Sequence, residues 1–179
     1  MRKQQKQLIG LIAVLLILAA AFLGLRQYNQ KQSEDAGEEA EVLFSVNKDT
    51  VRHINYDYQG ENYTFEKEED VWYCANDRNL SLNQTSMGAM AARLAQMNIV
   101  NTIENVADMS QYGLDQDYRT LTFETDTESY ALWIGDYNDM LDVYYVCRPG
   151  ESTVYTLSGQ AVNCFGRTPE DLKSTEEAS

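Results

Sequence analysis

The amino-acid sequence reads as α+β: an N-terminal single transmembrane helix, then one domain with a mostly antiparallel sheet and one main packed helix. Three patterns carry this reading. Residues Leu8–Leu25 are eighteen apolar residues without a charge. Apolar and polar residues alternate in short runs from Thr50 to Cys74 and again beyond Tyr118, the period of half-buried strands. Between these blocks Met87, Met90, Ala91, Leu94 and Met97 recur at helical spacing, so one stripe faces a core.

The apolar run sets the address. At about 1.5 Å rise per residue it covers roughly 27 Å, close to the bilayer's hydrocarbon core of about 30 Å. Arg2, Lys3 and Lys6 precede it, and positive charge beside a span stays cytoplasmic. Residues 1–7 are then inside. Residues 8–25 form a signal anchor in the cell membrane, crossing once, and the rest is extracytoplasmic. A cleaved signal peptide is the competing reading, because Ala19-Ala20-Ala21 offers a small-residue cleavage site. Against it, the apolar run continues through Phe22-Leu23-Gly24-Leu25. No cysteine follows closely enough for a lipoprotein anchor.

Charge excludes some partners. Of 14 Lys and Arg, four (Arg2, Lys3, Lys6, Arg26) precede residue 27, whereas none of the 28 Asp and Glu do, so the net charge of −14 becomes −18 beyond that point. Such a surface repels nucleic acid and anionic headgroups, so no nucleic-acid partner is expected. Residues 26–41 are polar and acidic, a linker unable to bury apolar surface. Residues 42–172 are long enough for one domain with a real core, and 173–179 form a flexible tail. No internal repeat is visible.

Within the domain, Thr50–Tyr58 alternates, with Val51, His53, Asn55 and Asp57 against Arg52, Ile54, Tyr56 and Tyr58. Gln59-Gly60-Glu61-Asn62 turns the chain into a second strand from Tyr63, a hairpin pattern. Val71–Cys74 is a third strand after the acidic turn Glu68-Glu69-Asp70. Asn83 suits an N-cap for a helix over about 84–98, with Leu82 and Met87 as a staple. Ile99–Ile103 reads as a strand, and a helical turn near Asp108–Tyr112 ends at Gly113. Tyr118–Thr125 and Glu128–Gly135 form a hairpin. Val143–Cys147 and Thr153–Leu157 are further strands joined through Pro149-Gly150. A terminal helix over 159–165 and a turn at Thr168-Pro169-Glu170 close the domain.

The order of these pieces, from about Val51 to Leu172, resembles domain-of-unknown-function family 4340. The resemblance rests on the hairpin leading to Val71-Trp72 and on the helix carrying Met87, Met90, Leu94 and Met97. It rests equally on Tyr112-Gly113-Leu114-Asp115 as the family's "YGL", on Leu132-Trp133-Ile134-Gly135 as its "l.iG" strand end, and on the closing strands at Tyr144-Tyr145-Val146 and Val154-Tyr155. Where the family often has a proline after "YGL", this chain has Asp115-Gln116-Asp117. The resemblance implies an envelope protein with one N-terminal membrane helix. It also implies a membrane partner, since genes of the family often lie beside those of gliding-type ABC transporters.

The residues offer little chemistry of their own. His53 is the single histidine, read as a solvated side chain on a strand, so histidine-dependent catalysis has weak support. Asp136, Asn138, Asp139 and Asp142 cluster in GDYNDMLD. Oxygen ligands at such spacing can take Ca²⁺, but an EF-hand's central Gly and closing Glu are missing. A solvated turn is the reading, with no metal or other cofactor expected. Asp115 and Asp117 would need a cleft to act as an acid/base pair. Cys74, Cys147 and Cys164 permit one disulfide plus a thiol, or three buried thiols. Asn62, Asn79 and Asn83 match the glycosylation sequon, which matters only in a eukaryotic source. Tyrosines such as Tyr56, Tyr58, Tyr63, Tyr130, Tyr144 and Tyr155 suit sheet positions and contact surfaces. No catalytic residue is assigned. The function expected is a non-enzymatic binding or scaffold module. The alternative is an envelope receptor or enzyme with a site built from Asp and Tyr.

Overall fold

The computed structural model describes residues 41–174. Two tight turns start the architecture. Gln59 and Gly60 take φ of 54° and 80°, and Glu69 and Asp70 take 45° and 68°, as two-residue hairpin loops require. They join β1 (Val51–Tyr58) to β2 (Glu61–Glu68) and β2 to β3 (Val71–Cys74). Asn83 caps α1 (Gln84–Leu94) by accepting from the Ser86 N–H at 3.0 Å. The chain continues through β4 (Ile99–Ile103), β5 (Arg119–Thr125), β6 (Ser129–Asn138), β7 (Val143–Cys147) and β8 (Val154–Ser158). A one-turn helix α2 (Gly159–Val162) and 3-10 turns at Asn163–Phe165 and Glu170–Leu172 end it.

All eight strands join one sheet in the order β3-β2-β1-β5-β6-β7-β8-β4, every pair antiparallel. One face carries the main core. Ile54, Phe65, Leu121, Phe123, Leu132, Val146 and Leu157 meet the α1 stripe Met87, Met90, Ala91 and Leu94, all buried. Phe44 reaches the same core from the N-terminal side and packs edge-on to Phe123 at 5.2 Å. Arg148 ties this segment down: it donates to the Leu43 carbonyl and lies over the rings of Phe44 and Tyr155.

The opposite face is divided. Over β1 and β2 it is polar, with Asn55 donating to Asn62 and Thr64 and Asn62 donating to Asp57. Over β6–β8 it is apolar and is covered by the segment before β5. There Leu114, Cys147 and Val154 are buried, Tyr118 stacks on Trp133 at 4.5 Å, and Tyr112 meets Tyr145 at 5.0 Å. The 3-10 turn Met109–Tyr112 is closed by Gly113 at φ 65°. A Cβ on Gly135 would lie 2.9 Å from the Gly113 carbonyl oxygen and closer still to that of Tyr112. The "YGL" and "l.iG" segments are therefore two sides of one backbone contact, and glycine at 135 is what lets it close.

These elements correct the α+β reading with a transmembrane helix and one main packed helix. Among the described residues the architecture is an eight-stranded antiparallel sheet with a few short helices. No helix there is long and apolar enough to cross a membrane. The expected span Leu8–Leu25 lies outside the described residues. Helix is scarcer than the apolar spacing implies for a physical reason. α1 stops at Leu94, because Met97 is buried from an extended segment instead, where its carbonyl accepts from the Leu43 N–H at 2.8 Å. The expected helix over 159–165 breaks after one turn into a 3-10 turn, which drives Phe165 into the core. In β1 the alternation also slips. A bulge between Val51 and His53 leaves both Val51 and Ile54 buried, three residues apart.

Candidate functional site

The residues singled out for chemistry do not converge. His53 sits on the polar face, paired in register with Glu66 and Glu124. Cys74 faces the core side from β3, as the register partner of Phe65. Cys147 lies three strands from β1 in the sheet order, roughly 14 Å at about 4.8 Å per strand. All three cysteines are free thiols. Burial pushes the Cys147 thiol up, and that of Cys164 to about 11, so both stay protonated at neutral pH. Asp115 and Asp117 are exposed in the loop before β5.

The four oxygen-bearing residues near the β6–β7 turn are parted by a second bulge. The register slips by one residue between Ile134 and Tyr137, which sends Asp136 against Gly113 and Tyr137 beside Tyr144. Asn138 closes the turn by accepting from the Met140 and Leu141 N–H groups. Asp142, at φ 52°, accepts from the Tyr137 hydroxyl at 2.7 Å, which raises that tyrosine's pKa. The spacing of 136–142 reads as one loop, whereas β6 runs on to Asn138. Among the described residues no three His, Cys, Asp or Glu are placed to hold a metal ion. Millimolar Ca²⁺ is therefore expected to leave the melting temperature of the chain unchanged, since a site of even millimolar affinity would add about 0.4 kcal/mol at that concentration. A rise of several degrees in a calorimetric scan, removed by Asp139→Asn, would make the loop a metal site.

Two features remain, and neither was visible in the spacing of residues. The first is the tip of the β6–β7 hairpin. Met140 is 95% exposed and its neighbour Leu141 67%. The Met140 and Leu141 backbone N–H groups donate to the Asn138 side chain, and the Tyr137 hydroxyl to Asp142, which fixes the backbone of the tip.

The second is a cleft of about 530 Å³ between α1 and the segment from Gln160 to Arg167. Its C-terminal wall is pinned from inside the sheet. Phe165 packs edge-on to Tyr56 at 6.0 Å, and the buried Tyr56 hydroxyl donates to the Arg167 carbonyl at 2.8 Å. Burial raises the Tyr56 pKa, so the donor stays protonated. Asn163 accepts from the Tyr144 hydroxyl at 3.0 Å, which turns its amide NH₂ toward other acceptors. Arg93 from α1 and Arg167 from the opposite wall both line the cleft.

The fold that carries these features is a single antiparallel sheet with helix on one face and a glycine-locked turn on the other. The chain belongs to the family described as domain of unknown function (DUF4340), whose family model matches residues 72–179. The match begins in β3, so the β1–β2 hairpin, part of the resemblance drawn above, precedes it. No curated protein and no solved structure matches the chain.

Proposed function

We propose that this protein is a non-enzymatic binding module, held at the cell membrane outside the cytoplasm by Leu8–Leu25, that docks onto a membrane protein. The observation that carries the docking reading is the Met140–Leu141 tip. These two adjacent side chains are the most exposed large apolar residues described. The turn fixes their backbone, so the ordering entropy lost when a partner covers them is that of the two side chains and not of the loop. Exposed Asp139 and Asp142 flank them directly in the turn, which favours a protein surface with a basic rim over an anionic lipid surface. The membrane address rests on the apolar run and the cationic residues before it. An ABC-transporter complex is the partner that the family resemblance implies.

The test is affinity purification of the full chain from solubilised membranes, with a photo-crosslinker at residue 140. Crosslinking to a membrane-embedded ABC-transporter subunit is expected. Met140→Ser with Leu141→Ser should weaken recovery roughly thirtyfold, as loss of about 2 kcal/mol of apolar contact at an interface centre implies. The melting temperature should hold, since both side chains are already in water. Equal recovery with the double variant, or no transporter subunit on the crosslinker, would overturn the reading.

A further inference from the structure

We propose that the cleft between α1 and the Gln160–Arg167 segment binds an oxyanion, the carboxylate or phosphate group of a small polar ligand. Arg93 and Arg167 hold it from opposite walls, and the Asn163 amide is a further donor. The inference is independent of the hairpin tip and goes beyond the docking reading.

Three observations carry it. The first is the distribution of unpaired cations in a very acidic chain. Lys48, Arg52, Lys67, Arg78 and Arg148 each pair with a carboxylate. Arg93, Arg119, Arg167 and Lys173 pair with none among the described residues, and two of the arginines share this cleft, with the third beside its C-terminal segment. Arg93 and Arg167 line it. Arg119 lies over the Tyr144 ring at 5.4 Å, and its Nη1 is 3.8 Å from where a Cβ on Gly166 would be. With carboxylates abundant, guanidinium groups left without one are free for an outside anion.

The second observation is convergence. Arg93 belongs to α1 and Arg167 to the segment across the cleft, yet both line the same space, with Cys164 in its wall. Each guanidinium opposes the rise that burial causes in the Cys164 pKa. The third is the remaining hydrogen-bonding inventory. The Ser86 hydroxyl and the Gln160 amide also line the cleft and make no side-chain bond among the described residues. Asp142 is the one carboxylate on the lining; it accepts from the Tyr137 hydroxyl and keeps its charge, against two guanidinium charges on the same lining. A planar guanidinium offers paired N–H donors that match carboxylate and phosphate oxygens. The volume is within the range of about 300–1,000 Å³ found for small-molecule sites.

Isothermal titration of the full chain in detergent at low salt, with inorganic phosphate and separately with citrate, tests this. Saturable binding of at least one anion is expected, and its strength relative to the other tells phosphate from carboxylate as the preferred group. Arg93→Gln and Arg167→Gln should each weaken binding about tenfold or more, the loss of a charge-assisted hydrogen bond. Arg78→Gln, whose parent pairs with Glu66 and Glu68, should leave it unchanged. Melting curves check that each variant folds, and Arg93→Lys and Arg167→Lys, which keep the charge and lose the fork, should fall between. No saturable binding of either anion, or equal binding by the folded Arg→Gln variants, would overturn the proposal.

Discussion

Leu94→Asp is expected to abolish the cooperative melting transition of the domain. Leu94 is fully buried where α1 meets the sheet. Removing its apolar side chain costs about 2–5 kcal/mol in a core. Burying a carboxylate with no partner costs several kcal/mol more, or forces the helix off the sheet. The sum is comparable with the whole stability of an ordinary domain, about 5–15 kcal/mol. Circular dichroism of the purified chain should show the transition lost and the signal of ordered strands reduced. Leu94→Met, which keeps volume and polarity, should cost less than about 1.5 kcal/mol. A sharp melt by the Asp variant close to the parent's would show that the α1 stripe is not core.

Gly135→Ala carries the next largest effect. The added Cβ meets backbone oxygens of Tyr112 and Gly113 and the Leu114 Cγ. Backbone cannot step aside as a flexible side chain would, so the turn before β5 must lift from β6. We expect a loss of about 3 kcal/mol, which is roughly 10 °C in melting temperature for a domain of this size. Near that turn the Tyr112–Tyr145 and Tyr118–Trp133 contacts should loosen with it, readable as a change in near-ultraviolet circular dichroism. Gly88→Ala is the opposite case. Gly88 lies in α1 with open space where a Cβ would go, so alanine should stabilise by about 0.5–1 kcal/mol. If both alanine variants melt together, the close backbone approach at Gly135 is not real.

The local chemistry of the fold was legible. Asn83 reads as an N-cap and does cap α1. The turns read over Gln59–Asn62 and Glu68–Asp70 do lie between strands, and the structure tightens them to Gln59-Gly60 and Glu69-Asp70 at positive φ, giving Glu61, Asn62 and Glu68 to β2. Asp108 and Gly113 bracket a 3-10 turn, and the methionine stripe of α1 is buried. Each of these depends on a few neighbouring residues, whose φ preferences, capping groups and spacing act whatever the rest of the chain does. The bulges in β1 and β6 were not legible, because an extra residue in one strand is defined only by its partner strand. That is why Asp136–Asp142 looked like one loop and why Val51 was assigned the wrong face.

From residues alone came the apolar run with its cationic flank, the acid excess that argues against nucleic acid, the strand-rich order and the position of the main helix. Strand order, the cleft and the exposed tip came only with the folded chain. β4 pairs with β8 and not with a neighbour in sequence. Tyr56 sets the position of Arg167 through a bond across 111 residues. Arg93 and Arg167 read singly as ordinary surface charges, and they line one cleft only because α1 and the last turns pack on the same face of one sheet. Periodicity tells a residue which side of its own element it occupies, but it carries no information about which distant element will cover that side, and it is that pairing which builds a site.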